Sequence, residues 1–172
     1  MKILKIILPI IIALSLGFFL GKNVNAPLQE GSTELITNSG KLSSEQIISY
    51  LEANASMGFG GKAFCEYIDL GNQEIGYLNY QSVKALCQEF YVENGSLIEG
   101  TGEVGPRVIM YKSLQNETNI IGHNSPRDGS YYADDIKLLF ANPEEALKSP
   151  DNSIVEALEK KVDDRAKQYF NK

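Results

Sequence analysis

Residues 123–140 contain the only histidine of the chain, together with serine and aspartate residues that could support hydrolysis. Ser125 or Ser130 could act as the nucleophile. His123 would then be the general base, and Asp128 would orient the imidazole. A catalytic triad is defined by geometry and is normally assembled from separated segments. Because three members on one short loop would align poorly, a structural role for this stretch is the preferred interpretation.

The same stretch is also typical of a turn that leads into a helix. Residues 124–129 read Asn-Ser-Pro-Arg-Asp-Gly, a composition that favours a compact turn. Ser130 would cap the helix, and Asp134 and Asp135 would lie in its early part, where the helix dipole favours negative charge. Arg127 would pair with one of these aspartates and hold the loop. The predicted turn and cap residues are Arg127, Asp128, Gly129 and Ser130.

Glu89 is a second acid that could take part in chemistry, because it lies in the apolar run Ser82–Glu93. Two interpretations are open. Glu89 lies at the rim of the sheet, or it is a buried functional acid whose pKa is raised by burial. In an acid–base enzyme, His123 would work with Glu89, Glu99 or Asp128.

Residues 100–105 match the glycine pattern of dinucleotide-binding loops, G-x-G-x-x-G. The functional motif follows a strand and opens a helix, so that the helix N-terminus faces the phosphates. Here Pro106 and a β-type run follow, so no nucleotide cofactor is expected. The glycines indicate a bulge, a sharp bend or the close approach of another backbone.

Cys65 and Cys87 are the two cysteines of the chain. In an extracytoplasmic protein such a pair predicts a disulfide, here between neighbouring antiparallel strands. A redox pair is disfavoured because there is no C-x-x-C, and two cysteines with one distant histidine make a weak metal site. The formal net charge is −6 without a basic stripe, which argues against nucleic-acid binding.

The N-terminus has the pattern of a targeting segment. Lys2 and Lys5 precede an apolar run, so residues 1–26 are predicted to be a signal peptide or a signal anchor. The chain is then extracytoplasmic, either anchored to the cytoplasmic membrane by residues 3–21 or secreted after cleavage near Ala26. Residues 27–41 are predicted to be a flexible linker, and residues 42–172 a single domain.

The elements of this domain have clear start and turn signals. Ser43 and Gln46 form a predicted capping box for a first helix, which ends at the glycine-rich residues 57–61. Asn94-Gly95 predicts a hairpin turn between two strands. The predicted strands are residues 62–70, 82–93, 96–101 and 106–114, and the later helices are predicted to be capped by Ser130, Asn142 and Ser153. Ser153 and Glu156 form a predicted capping box of the last helix, and Glu159 and Asp163 are expected on its solvated face.

The order of these elements predicts an α+β fold, with an N-terminal helix, an antiparallel meander of three or four strands and C-terminal helices. The helices are expected on one face of the sheet. The turn predicts that Phe90 lies opposite Glu99 and Cys87 opposite Gly102, with Val104 on the face of Cys87. By analogy of element order alone, the arrangement is similar to cystatin-like and NTF2-like architectures.

The sequences CQEFYVENGSLIEGTGEVGP and PRDGSYYADDIKLLF resemble a group of uncharacterised small domains of bacteria that are membrane-anchored or exported. The resemblance covers roughly residues 62–170. It implies membrane presentation or export, and it implies no activity.

Two functions are therefore open. The preferred function is that of a non-enzymatic binding or interaction domain, monomeric, with an unknown protein or small-molecule partner and a concave sheet face lined by Tyr and Phe. The alternative is a small hydrolase or acid–base enzyme that uses His123.

The targeting segment and the disulfide can be tested together by the intact mass of protein purified from the cell envelope. With and without reduction and alkylation, we expect two alkyl groups to be added only after reduction, and the mass also shows whether residues 1–26 are removed. Alkylation of both cysteines without prior reduction would contradict the disulfide.

Overall fold

A computed structural model of the chain describes residues 40–115 and 117–171, so the predictions for residues 1–39 lie outside the described residues. The fold is α+β and is built on a four-stranded antiparallel meander in the order β1-β2-β3-β4. The strands are β1 Lys62–Ile75, β2 Leu78–Glu93, β3 Ser96–Leu114 and β4 Glu117–Asn124. The helices are α1 Ser44–Ala53, α2 Tyr132–Leu139, α3 Pro143–Leu147 and α4 Asn152–Phe170, and a 3₁₀ turn spans Gly129–Tyr131.

Helices cover both faces of the sheet, so the expectation that all of them pack on one face is wrong. The reason lies in β2, where apolar side chains occupy both alternating sets of positions. Val83, Ala85 and Cys87 pack with α1, whereas Leu86 and Phe90 pack with α4. The helices α2 and α3 share the face of α4 but lie towards the other end of the sheet.

The start of α1 is as predicted. Ser43 Oγ accepts a hydrogen bond from the backbone N–H of Gln46 at 3.2 Å, and Gln46 Oε1 accepts one from the backbone N–H of Ser43 at 2.9 Å. Ile47 and Leu51 are the buried residues of this helix. The capping box therefore fixes the point at which α1 begins to cover the sheet.

The hairpin between β2 and β3 has the predicted turn but only part of the predicted register. Asn94 and Gly95 both have positive φ, at 51° and 78°, as a tight hairpin turn of this kind requires. The pairing follows the prediction as far as Phe90 opposite Glu99, after which β3 contains one extra residue. Beyond this bulge Cys87 pairs with Glu103, not with Gly102.

The bulge has two further consequences for the predicted sheet. Val104 pairs with Leu86 and lies on the α4 face, not on the face of Cys87. The two strands predicted before and after Pro106 form one continuous strand. A bulge inserts a residue without ending the ladder, and for this reason the glycine-rich segment does not divide β3.

Two predicted helix caps are wrong. Ser130 lies inside the 3₁₀ turn, and α2 begins at Tyr132 without a side-chain cap. Ser153 is the second residue of α4, which begins one residue earlier. Asn142 does cap α3, because its side chain accepts a hydrogen bond from the backbone N–H of Glu145. Where a 3₁₀ turn or an aspartate precedes the helix, the start signal is displaced by one or two residues.

Cys65 and Cys87 form the predicted disulfide and are directly opposite each other on β1 and β2, with their Cα atoms 4.1 Å apart. A structural disulfide indicates that the domain resides in an oxidising, extracytoplasmic environment. None of the helices that the structure describes combines the length and the apolar character needed to cross a membrane.

The double variant Cys65→Ala/Cys87→Ala is expected to lower the free energy of unfolding. The disulfide joins residues 22 apart in sequence, and a loop of this size constrains the unfolded chain by about 3 kcal/mol. Urea denaturation followed by far-ultraviolet circular dichroism measures the difference. An unchanged midpoint would contradict the stabilising role of the bond.

Candidate functional site

His123 lies on β4, not in a loop as predicted, and it faces α1. It is half-buried and pairs across the sheet with Ile109. Its Nδ1 atom is 3.0 Å from the hydroxyl oxygen of Tyr50, and the two rings meet edge to face with centroids 5.7 Å apart. The helix α1 therefore places a tyrosine over the histidine.

Burial and the charge of Arg107 favour the neutral form of His123. Burial is the main cause that lowers the pKa of His123, Arg107 lowers it further, and Glu103 partly offsets both. Burial likewise raises the pKa of Tyr50, against the opposing effect of Arg107. Arg107 and Glu103 are themselves ion-paired. The arrangement is a hydrogen bond between two neutral groups beside an internal ion pair.

The other residues proposed for catalysis are not joined to His123 by any contact. In the described part of the chain, no carboxylate oxygen forms a hydrogen bond or an ion pair with His123. Asp128, Ser125 and Ser130 are exposed in and around the segment that follows β4. Glu89 is engaged elsewhere. The structure therefore does not assemble these residues into a triad.

Arg127 has the structural role predicted for it. Arg127 donates from Nε and Nη2 to the carboxylate of Asp135, both at 2.8 Å, and its backbone N–H donates at 2.9 Å. These hydrogen bonds lower the pKa of Asp135 to about 2. The pair fastens the segment after β4 onto α2, as the sequence indicates.

Glu89 is buried on the α1 face, with 1% of its surface exposed. The rim position considered for it is therefore wrong. Its carboxylate accepts hydrogen bonds from the backbone N–H groups of Gly58 at 2.9 Å, Phe59 at 3.1 Å, Gly61 at 2.7 Å and Thr101 at 3.2 Å. It thus holds the loop between α1 and β1 against the bulge of β3.

The pKa of Glu89 shifts in the opposite direction to that expected of a functional acid. Burial alone would raise it, but the backbone hydrogen bonds from Gly61, Gly58, Thr101 and Phe59 outweigh burial and lower it to about 2. At neutral pH the group is therefore an anion that accepts hydrogen bonds. The interpretation of Glu89 as a buried acid with a raised pKa is therefore also wrong.

A groove of about 650 Å³ lies on the other face of the sheet, between α4 and the β2–β3 ladder. It forms because α4 packs mainly on β1 and the adjoining part of β2, leaving β3 open. The apolar lining residues are Leu86, Phe90, Val104 and Val162. We refer to this feature as the α4–β3 groove.

Acidic side chains surround the α4–β3 groove. They are Glu99 of β3 and Glu156, Glu159 and Asp163 of α4, and Lys160 is the basic residue among the lining side chains. Lys160 is paired with Asp164, and Asp163 with Lys167. Within the described residues, Glu99, Glu156 and Glu159 are exposed and form no ion pair, and Lys167, which is paired with Asp163, lies near enough to Glu99 for its pKa to be raised by that charge. The groove therefore combines an apolar floor with uncompensated negative charge.

The α4–β3 groove differs from the expected concave face lined by Tyr and Phe, since Phe90 is its one aromatic lining residue. The sequence interpretation assigned Glu156 to a capping box and Glu159 and Asp163 to a solvated face. A usable signal was present, because these three acids recur at helical spacing on one side of α4. No group of His, Cys, Asp and Glu side chains among the described residues could hold a metal ion.

Comparison with known proteins found no matching family model, curated protein or solved structure. The function is therefore inferred from the geometry and the charges of this chain alone.

Glu89→Gln is expected to lower the free energy of unfolding at neutral pH, because the new amide NH₂ would face backbone N–H donors. The folded-state pKa of about 2 is below the ordinary value of 4.5, so the contribution of Glu89 is complete above about pH 4.5 and is lost as the pH falls towards 2. The difference in stability between wild type and variant should therefore shrink over this range.

Urea denaturation at several pH values measures this difference, with the exposed Glu93→Gln as the matched control. Parallel stability curves for wild type and Glu89→Gln would contradict the assigned role.

Proposed function

We propose that the protein is an extracytoplasmic binding domain and that its α4–β3 groove takes a cationic ligand with apolar surface. The observation that carries this proposal is the pairing of an apolar floor with unpaired acids. The floor includes Leu86 and Phe90, and the unpaired acids are Glu99, Glu156 and Glu159. A ligand with both properties is complementary to the two parts of the groove.

The free energy of binding to this groove would be the sum of several small contributions. Each exposed ion pair contributes about 0.2–1 kcal/mol and is screened by salt. Burial of apolar surface against Leu86 and Phe90 contributes about 25 cal/mol per Å² before the costs of association. Such a site gives selectivity for positive charge with moderate affinity. It requires neither a metal ion nor a catalytic group.

The location follows from the disulfide together with the N-terminal segment. The Cys65–Cys87 bond supports an oxidising environment. The lysine-led apolar N-terminus supports either anchorage to the cytoplasmic membrane or secretion after cleavage. The domain then acts as a monomer on a partner outside the cytoplasm. This agrees with the resemblance to small exported domains, which stays a prediction.

The enzymatic alternative receives less support from the geometry. His123 faces α1, whereas the α4–β3 groove lies on the opposite face of the sheet. A ligand in this groove is therefore separated from the histidine by the sheet. Catalysis by His123 stays a prediction.

A capped peptide in which Lys and Val alternate four times is expected to bind the full chain, purified in detergent, with an affinity that falls as salt is added. Fluorescence anisotropy of the labelled peptide measures binding. Glu156→Gln/Glu159→Gln should weaken it by about tenfold, because two exposed charge interactions are removed.

The matched control is Glu74→Gln/Glu117→Gln, which removes the same charge from exposed positions on β1 and β4. It should bind the peptide as the wild type does, and a peptide of alternating Glu and Val should not bind. Equal losses in the two double variants, or no binding by the wild type, would refute the proposal.

A further inference from the structure

The strand β3 has a free edge beside the α4–β3 groove. β4 pairs with β3 only from Val108 onwards, where Val108 lies opposite Asn124. Within the part of the chain that the structure describes, no strand pairs with the outer side of residues 96–107. The backbone groups on this side are a template for another strand.

The turn shows which groups of β3 face outwards before the bulge. A two-residue turn makes its flanking residues a hydrogen-bonded pair, here Glu93 and Ser96, and the pairs then alternate. The N–H and C=O groups of Leu97 and Glu99 therefore point away from β2.

Pro106 shows which residues of β3 have their backbone N–H and C=O groups pointing away from β2 after the bulge. It has no N–H and lies opposite Lys84, so it fits a position whose backbone faces away from β2. Counting back by twos, the N–H groups of Val104 and Gly102 also point outwards. Val104 is 66% exposed and Gly102 is exposed, so an added backbone could reach both.

Three of the outward-facing residues also line the groove. Glu99, Gly102 and Val104 belong to both sets. In an antiparallel pair, residues that exchange hydrogen bonds have their side chains on the same face of the sheet. An added strand would therefore direct every second side chain into the α4–β3 groove.

We propose that the ligand of the α4–β3 groove is an extended basic polypeptide segment, which adds as an antiparallel strand to residues 97–104 of β3. This inference rests on the proposed function, since the same groove and the same acids are used. Backbone hydrogen bonds to the free edge provide affinity. Glu99, Glu156 and Glu159 select lysine or arginine at alternate positions of the segment.

Charge favours a basic segment over a second copy of the chain as the occupant of this edge. Pairing of two β3 edges would bring the acidic side chains beside the two grooves, including Glu99 of each copy, towards each other, which like-charge repulsion disfavours. The formal net charge of −6 adds to this repulsion. A basic segment is instead attracted by the negative charge on the same edge.

The test uses three capped peptides with alternating Lys and Val and the full chain in detergent. One peptide is unmodified, one carries N-methyl groups on the lysine amides, and one carries them on the valine amides. Because the protein is unchanged, a failure to fold cannot affect the result. For antiparallel addition, the lysines that enter the groove also supply the N–H groups that bond to β3.

We therefore expect methylation of the lysine amides to weaken binding by at least about tenfold and methylation of the valine amides to leave it nearly unchanged. Selective loss on methylation of the valine amides would overturn the proposed arrangement, in which an antiparallel strand directs its lysines into the groove. Equal affinities of the two methylated peptides would overturn strand addition.

Different results would refute the proposed function and the addition of a strand. It fails if the unmodified peptide does not bind, or if its binding does not depend on Glu156 and Glu159. Where this dependence is observed and the two methylated peptides bind alike, only the added strand is refuted.

Discussion

The hydrogen-bonded carboxylate of Glu89 is the interaction on which the rest of this fold depends. A buried carboxylate is costly unless its oxygens are satisfied, and here backbone N–H groups from two separate segments satisfy them. One segment is the glycine-rich loop after α1, and the other is the bulge of β3. A Cβ atom at Gly58 would lie 2.6 Å from Thr101 Oγ1, so glycine suits this close approach. One charged group thus joins α1, the loop and β3.

The bulge held by Glu89 decides which residues of β3 face the α4–β3 groove. The extra residue opposite Glu89 places Val104 against Leu86 and puts Gly102 on the same face. Without it, Glu103 would lie opposite Leu86, and the groove would contain a carboxylate where it now has an apolar side chain. The bulge therefore accounts for the apolar floor of the groove, for the position of Gly102 and for which backbone groups of β3 point outwards at the free edge. A structural acid on one face of the sheet shapes the binding surface on the other.

Local signals in the sequence predict much of this fold. The capping box of Ser43 and Gln46, the Asn94-Gly95 turn and the ion pair of Arg127 each depend on residues close in sequence, whose chemistry limits the backbone to few choices. The Cys65–Cys87 disulfide was predicted because strand pairing and compartment give the same answer. These signals also predict the α+β fold class and the order of the helices and strands.

The features that were missed depend on contacts between distant residues. The donors to Glu89 come from residues 58–61 and from Thr101, and no local pattern shows that these segments meet. The placement of helices on both faces depends on how α4 returns to β1 at the end of the chain. The free edge of β3 beside the groove likewise depends on where β4 ends, which the sequence does not show. Each of these is a tertiary outcome of a chain whose local preferences permit alternatives.

The most direct test of this account is the titration of Glu89 itself, followed by the chemical shift of its side-chain carboxyl carbon in ¹³C-labelled protein. Because backbone hydrogen bonds stabilise the anion, we expect this signal to remain that of a carboxylate through mildly acidic pH and to titrate with a pKa of about 2. Titration at or above the ordinary value for glutamate, about 4.3, would contradict the account. The bulge, and the groove that depends on it, would then need another explanation.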